Sequence, residues 1–293
     1  MSPSDVSTVA VVGAGLIGRS WAALFLAAGK DVSLYDADPA AEAHTRAAVE
    51  QAWPVLRRLG LTELDAPTAT LTAYGSAAEA VAGAGFVQES VPERVALKHA
   101  LYAEIEDALP VDAIVATSAS GLTLGELQAG WRDPARFVLG HPFNPPHLVP
   151  LVEVMGNERT AAGVVAAARA FYESVGKVTI EVHREVPGHV ANRLQAALWR
   201  EAIHLVAEGV ATLEDVDRAV SSGPGLRWAT LGPHQLFHLG ADGGLEQFCE
   251  HYADSFHRWW DDLGSPRLDP ATVARLVAGL ADVPEHDDLA ARR

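Results

Sequence analysis

The chain has 293 residues, 49% hydrophobic and 20% charged, the composition of a globular protein with room for one large or two moderate cores. Its formal net charge is −16 and it holds only three lysines (Lys30, Lys98 and Lys177), a balance that argues against nucleic acid and anionic membranes as partners. Its one cysteine, Cys249, excludes an internal disulfide and, lacking partners at zinc spacing, gives no reason to expect a metal; it reads as a small buried apolar residue.

The opening MSPSDVS is neither basic nor apolar enough for an export signal, and no apolar stretch beyond it reaches the roughly 18 residues that span a bilayer, so a cytoplasmic protein is expected. Residues 8–18, TVAVVGAGLIG, read as a short strand that stops at a glycine turn. A helix with Ile17, Trp21, Leu24 and Phe25 on one stripe follows, and Gly29 ends it. Strand, glycine turn and helix are the context in which GxGxxG binds a dinucleotide. Gly13 turns the chain, Gly15 lets the backbone approach a pyrophosphate, and Gly18 lets helix and strand pack closely. The free N–H groups at the helix start, around Leu16 and Ile17, take the phosphate charge. The next strand, 31–35, ends at Asp36, 21 residues after Gly15, where a carboxylate accepts from a ribose 2′-hydroxyl and repels a 2′-phosphate. Residues 36–39, Asp-Ala-Asp-Pro, include no arginine, and the cofactor expected is NAD. The bland alternatives are a ligand-free turn and a solvated strand end.

Residues 40–59 follow as a helix in which Pro54 predicts a kink or a stop. Strands are expected at 69–74, 86–90, 113–117, 137–140, 151–154 and 178–182, with a helix over 93–109 carrying Leu97, Leu101 and Ile105 on one stripe. This alternation implies an α/β domain with a mostly parallel, doubly wound sheet, a Rossmann fold. From Gly188 onward only helices are read: Val190, Leu194, Leu198, Ala202 and Leu205 mark a long one ended by Gly209, and Thr212 with Asp215 opens another. The domains expected are 1–187, binding NAD, and 188–293, all-α; the tail from Asp282 is polar and expected to be loose.

Chemistry concentrates at the carboxyl ends of the later strands. Residues 140–154, GHPFNPPHLVPLVEV, offer His141, Asn144 and Glu153; residues 116–120 read ATSAS, and Asn192-Arg193 opens the long helix. The set resembles the L-3-hydroxyacyl-CoA dehydrogenase superfamily, over residues 8–245 and in the family's order. The resemblance implies that His141 is the catalytic histidine, Glu153 the carboxylate that orients it, and Ser120 and Asn192 the groups beside the reacting oxygen. It also places Glu93, Lys98 and Ser118 near the nicotinamide and its ribose, and Asn144 at the substrate. Imidazole suits the base role because it titrates near neutrality, and a carboxylate on its far nitrogen fixes the tautomer.

Duller readings stand beside these. Asn192 could cap only its own helix, Glu153 could be a solvated strand-end charge, and Glu93 and Lys98 could be exposed charges. Thr117, Ser118 and Thr123 compete with Ser120 for the same turn, and Ala119, Gly121 and Ser118 depart from the common family pattern. Among 12 histidines, His147, His183 and His189 read as surface or domain-interface groups.

Residues 40–75 hold no lysine and only Arg46, Arg57 and Arg58, which disfavours a phosphate-rich CoA ester. HPFNPP together with GLRWATLGP, in the loop 222–233, resembles the branch containing L-gulonate 3-dehydrogenase, lambda-crystallin and carnitine 3-dehydrogenase. In that loop Arg227 is the candidate anchor for a small carboxylate, with a salt bridge as its alternative. The expectation is therefore NAD-dependent oxidation of the 3-hydroxyl of a small, free, gulonate-like 3-hydroxy acid, by a homodimer. The alternatives are a 3-hydroxyacyl-CoA dehydrogenase, a carnitine 3-dehydrogenase using Trp199, Trp228, Phe237 or Trp259 around the trimethylammonium, and a crystallin-like structural protein that binds NAD.

Overall fold

In the computed structural model, which describes residues 6–283, the run TVAVV forms β1 (Thr8–Val12), with both faces buried as a central parallel strand requires. The chain continues through α1 (Leu16–Ala27), β2 (Asp31–Tyr35), α2 (Ala41–Arg58), β3 (Leu71–Ala73), α3 (Ala77–Val81), β4 (Phe86–Glu89) and α4 (Val95–Ile105). Then come β5 (Ile114–Thr117), α5 (Leu124–Gln128), β6 (Phe137–Pro142), β7 (Leu151–Met155), α6 (Val164–Ser174) and β8 (Val178–Glu181). The eight strands lie in the order β3-β2-β1-β4-β5-β6-β7-β8. The first six run parallel, β7 runs antiparallel to β6, and β8 runs parallel to β7. Only eight residues, 143–150, link β6 to β7, too few for the crossover that a parallel neighbour needs, so the chain doubles back. Strand order reverses between β1 and β4, which opens a crevice at the carboxyl ends of the parallel strands.

Helices cover both faces. One face is packed by α1, α2 and α6 around Trp21, Phe25, Phe86 and Phe171, with Phe86 stacked 3.9 Å from Phe171. The other holds Tyr102, Leu127, Trp131 and Phe137, with Tyr102 stacked 4.7 Å from Trp131. Each such buried side chain contributes roughly 1.5–3 kcal/mol of apolar transfer. Two local expectations are corrected. Pro54 does not stop α2, which continues to Arg58; Ala52, Trp53 and Leu56 stay buried around it. In α4 the buried face is Lys98, Leu101, Tyr102 and Ile105, and Leu97 is 38% exposed, because Lys98 is drawn inward by a buried acid.

The chain divides into two units, Met1–Val190 and Ala191–Arg293. The second is helical throughout its described part: α7 (Ala191–Ala207), α8 (Leu213–Ser222), α9 (Pro224–Trp228), α10 (Pro233–His238), α11 (Gly244–Asp262) and α12 (Pro270–Ala281). Gly209 at φ +70 follows α7, and the Thr212 hydroxyl caps α8 by accepting from the Asp215 N–H. Few of its side chains are buried; Ile203 and Val216 are, whereas Leu194, Trp199, Trp259 and Trp260 are exposed. Cys249 is exposed as well, a correction: α10 covers α11 through Phe237 on Phe248 and Phe256, and Cys249 lies at the open apolar hollow beside them. Beside it, Phe237, Phe248, Phe256 and Trp260 line an apolar cavity of about 400 Å³. Among the described residues no helix is long and apolar enough to cross a membrane. Beyond Val283 the expected polar tail lies outside the described residues.

Candidate active site

The turn after β1 is shaped by its glycines. Gly13 adopts φ +94, and a Cβ there would lie 2.6 Å from the backbone of Ser90 and Val91. At Gly18 a Cβ would lie 1.7 Å from the Gly13 carbonyl oxygen, so only glycine lets α1 pack on the turn. Gly15 differs: a Cβ there would meet nothing within 4 Å. It is the N-cap of α1, with no side chain capping the first N–H groups at Leu16 and Ile17. Open space beside uncapped donors fits a pyrophosphate.

Asp36 faces the same turn. Its Oδ2 accepts from the Ala14 N–H at 2.6 Å and its Oδ1 from the Asp38 N–H at 2.8 Å. A cavity of about 220 Å³ opens beside it, lined among others by Gly13, Tyr35, Pro92, Leu97 and Leu101. Apolar walls with an acid at the rim suit an adenosine, and they account for the exposure of Leu97.

Deeper in the crevice, the end of β4 carries an acid that sequence reading missed. Glu89 is fully buried; Oε1 accepts from Lys98 Nζ at 2.6 Å and from the Val91 N–H at 2.7 Å. Its Oε2 accepts from the hydroxyls of Thr117 at 2.7 Å and Tyr102 at 2.9 Å. Burial, followed by the charge of Glu89, pushes the Tyr102 phenol far up, so it stays a donor. The assignment of Lys98 to the ribose is corrected here: Lys98 is 1% exposed, and its ammonium is held by Glu89. Glu93 reaches the loop after β5, accepting from the Ser120 N–H and from the Gly121 N–H at 3.1 Å. Ser118 is also fixed from below. Gln88 Nε2 donates to its Oγ at 2.8 Å, the Ser90 hydroxyl lies 2.9 Å away, and Tyr172 donates to Gln88 Oε1 at 2.6 Å.

His141 and Glu153 stand directly opposite each other on the antiparallel pair β6 and β7. His141 Nδ1 lies 2.7 Å from Glu153 Oε2, and both residues are buried. A carboxylate can only accept, so Nδ1 carries the proton and Nε2 offers its lone pair. Nε2 lies 3.1 Å from Ser120 Oγ. The competing hydroxyls are engaged elsewhere: Thr117 on Glu89, Ser118 with Gln88 and Ser90, and Thr123 as the N-cap of α5. Glu153 Oε1 accepts from the Val190 N–H at 2.8 Å.

The histidines read as surface or domain-interface groups divide. His183 is exposed, 3.5 Å from Glu181, and His147 Nδ1 lies 2.7 Å from Ser20 Oγ. Burial, then the charge of Lys177, lowers the His147 pKa. His189 is not a surface group: it is 3% exposed, with its ring centre 5.1 Å from that of His141. Lys177 is another buried group that the sequence left unread. It donates to the carbonyls of Pro146 and, at 2.7 Å, Val149, lies 5.3 Å over the Trp21 ring, and is pushed by burial down to about 8. It thus ties down the loop that follows Asn144, which is itself exposed. In the second unit, Asn192 lies in the first turn of α7 and Arg227 in α9, where a loop was expected. Arg227 is exposed, and no ion pair reaches it among the described residues.

This arrangement meets known proteins along its whole length. A family model described as 3-hydroxyacyl-CoA dehydrogenase, NAD binding domain, matches residues 8–186, and one described as 3-hydroxyacyl-CoA dehydrogenase, C-terminal domain, matches residues 188–267. The chain is 49% identical to an L-carnitine dehydrogenase of Streptomyces coelicolor, covering 100% of this chain and 93% of that protein. It is 44% identical to an L-carnitine dehydrogenase of Pseudomonas aeruginosa, covering 95% and 87%. Among solved structures it is similar to 5-formyl-3-hydroxy-2-methylpyridine 4-carboxylic acid 5-dehydrogenase, an NAD+-dependent dismutase, with a TM-score of 0.84, 33% identity and coverage of 98% and 95%. With both family models matched in order and this identity over the full length, the chain belongs to the 3-hydroxyacyl-CoA dehydrogenase family as an NAD-dependent oxidoreductase of CH–OH groups.

Proposed function

We propose that the chain oxidises the 3-hydroxyl of L-carnitine to the ketone, with NAD as the hydride acceptor. The observation that carries this reading is 49% identity over 100% of the chain to a protein named L-carnitine dehydrogenase. A gulonate-like acid, the first expectation from sequence, has no such support and gives way to carnitine. Charge favours the same choice. At a net charge of −16 the protein repels a simple anion, whereas carnitine carries a quaternary ammonium that offsets its carboxylate. Exposed Trp199, Trp228 and Trp259 offer aromatic faces to such a cation, and Arg227 offers a fork to the carboxylate. A CoA ester is disfavoured further because Arg46 is paired with Glu42 at 2.7 Å and Arg57 with Asp65 at 2.8 Å.

Each residue then has a step. Gly13, Gly15, Gly18 and the first N–H groups of α1 would hold the pyrophosphate, and Asp36 the adenosine ribose. NAD, when bound, supplies the acceptor for the hydride leaving the carbinol carbon. His141 takes the hydroxyl proton at Nε2, and Glu153, already on Nδ1, stabilises the imidazolium that results. Ser120, within hydrogen-bond reach of Nε2, donates to the oxygen as it becomes a carbonyl, and Asn192 takes the same role from the family resemblance. A homodimer belongs to this reading, since Leu194, Trp259, Trp260 and Val277 are large apolar side chains left exposed in the helical unit. A solution mass of two chains supports the dimer, and a mass of one chain removes it.

The test is NAD reduction with L-carnitine, gulonate, 3-hydroxybutyrate and 3-hydroxybutyryl-CoA, on the wild type and on Arg227→Ala. The expected result is the highest kcat/KM for L-carnitine, with Arg227→Ala raising KM about tenfold or more at similar kcat. A preference for the thioester or for gulonate defeats the substrate assignment, and unchanged kinetics in the variant removes Arg227.

A further inference from the structure

Val186, Pro187, Gly188 and His189 form a turn closed by the His189 N–H donating to the Val186 carbonyl at 3.0 Å. Gly188 takes φ +77, as glycine does freely, and His189 follows at φ +50, the one non-glycine residue with positive φ among the described residues. A conformation of this kind persists where the surroundings over-determine it, which is often beside a reacting group.

The surroundings here are the catalytic pair. The His189 ring is 3% exposed and tilted by 54° against His141, with 5.1 Å between ring centres. Neither ring nitrogen bonds a side chain, and the Ala119 backbone is the one hydrogen-bonding group that acts on the ring. The following residue, Val190, donates its N–H to Glu153 Oε1, while Oε2 of that carboxylate holds His141 Nδ1. The groups that face His189 are His141 on β6, Glu153 on β7, Glu185 beyond β8 and the Ala119 backbone. Burial, then the charge of His141, pulls the His189 imidazole below its usual range, against the pull of Glu153, Ala119 and Glu185, so the ring is neutral near pH 7.

We infer that His189 is a positioning residue. Its neutral ring walls His141 off from water, and its left-handed backbone carries the Val190 N–H onto Glu153, so that His141 is held in its proton-accepting form. Histidine meets both needs, being flat and bulky yet more tolerant of the left-handed region than most side chains. Water admitted beside His141 would stabilise its charged form and raise the pH below which oxidation fails. This rests on the dehydrogenase reading above.

The experiment compares His189→Ala, His189→Phe and His189→Asn with the wild type. The readouts are kcat/KM against pH with whichever 3-hydroxy acid the wild type oxidises, and NADH affinity by fluorescence titration. His189→Ala is expected to lose about tenfold at pH 6 and much less at pH 9, with NADH affinity unchanged, as the acid limb moves upward. His189→Phe, which keeps the bulk, is expected to return the limb to the wild-type position. His189→Asn keeps the backbone preference without the ring and is expected to shift like His189→Ala; it replaces that variant should His189→Ala fail to fold. A limb that stays in place in the variants lacking the ring, or moves equally in His189→Phe, overturns the inference. Wild-type turnover with an unmoved limb defeats this inference alone, whereas a wild type that oxidises no hydroxy acid defeats the dehydrogenase reading.

Discussion

Asp36 is fixed by the turn it follows: the Ala14 N–H holds one oxygen at 2.6 Å, and the reading proposed above assigns its carboxylate to the adenosine ribose. Repulsion of a 2′-phosphate by a charge about 4 Å away amounts to about 1 kcal/mol in water and more in a cleft. Asp36→Ala should therefore raise the NADP-to-NAD ratio of kcat/KM by about tenfold or more. An unchanged ratio would take Asp36 out of the ribose site. Asp36 was legible because a strand end and a glycine turn bracket it at a fixed separation. His141 was legible among 12 histidines because of the HPFNPP segment around it. Glu89, Gln88 and His189 were not. Gln88 acts with a partner far along the chain, Tyr172, 84 residues away, and Glu89 is fixed by Thr117 and Tyr102 as well as by Lys98 nine residues on, pairings that an apolar pattern does not show.

At the scale of elements, the three glycines of one motif separate into different duties. Gly15 has φ −65 and space around it, so Gly15→Ala should keep or raise stability by about 0.4–1 kcal/mol while weakening NADH binding about tenfold or more. Gly18→Ala drives a Cβ toward the Gly13 carbonyl and should cost about 1–3 kcal/mol or more in stability. Thermal denaturation and NADH titration of both variants check the pair; a Gly15→Ala protein that binds NADH normally contradicts the pyrophosphate assignment. Strands were readable because apolar runs bounded by glycine or charge mark them. The direction of β7 was not read, although the short link before it determines the reversal. The inward turn of Lys98 was hidden for another reason: a lysine in a helix reads as solvated unless its buried partner is known.

The whole molecule combines a doubly wound sheet whose site chemistry is nearly all written into strand ends with a helical unit whose sequence says less. In the second unit the apolar stripe of α7 predicted burial, yet Leu194 and Leu198 are 64% and 39% exposed, because a stripe records that a face needs cover without saying what provides it. Composition was more informative here: a strongly acidic chain poor in lysine is a poor host for CoA phosphates and a better one for a zwitterion. All of this depends on the imidazole of His141, held between Glu153 and Ser120, being the base for the alcohol proton. The most direct measurement is the turnover of His141→Ala in NAD reduction by L-carnitine, read beside its NADH affinity. A fall in kcat of about 10²–10⁴ with NADH affinity unchanged is the predicted result; near-normal turnover with the same affinity would contradict it.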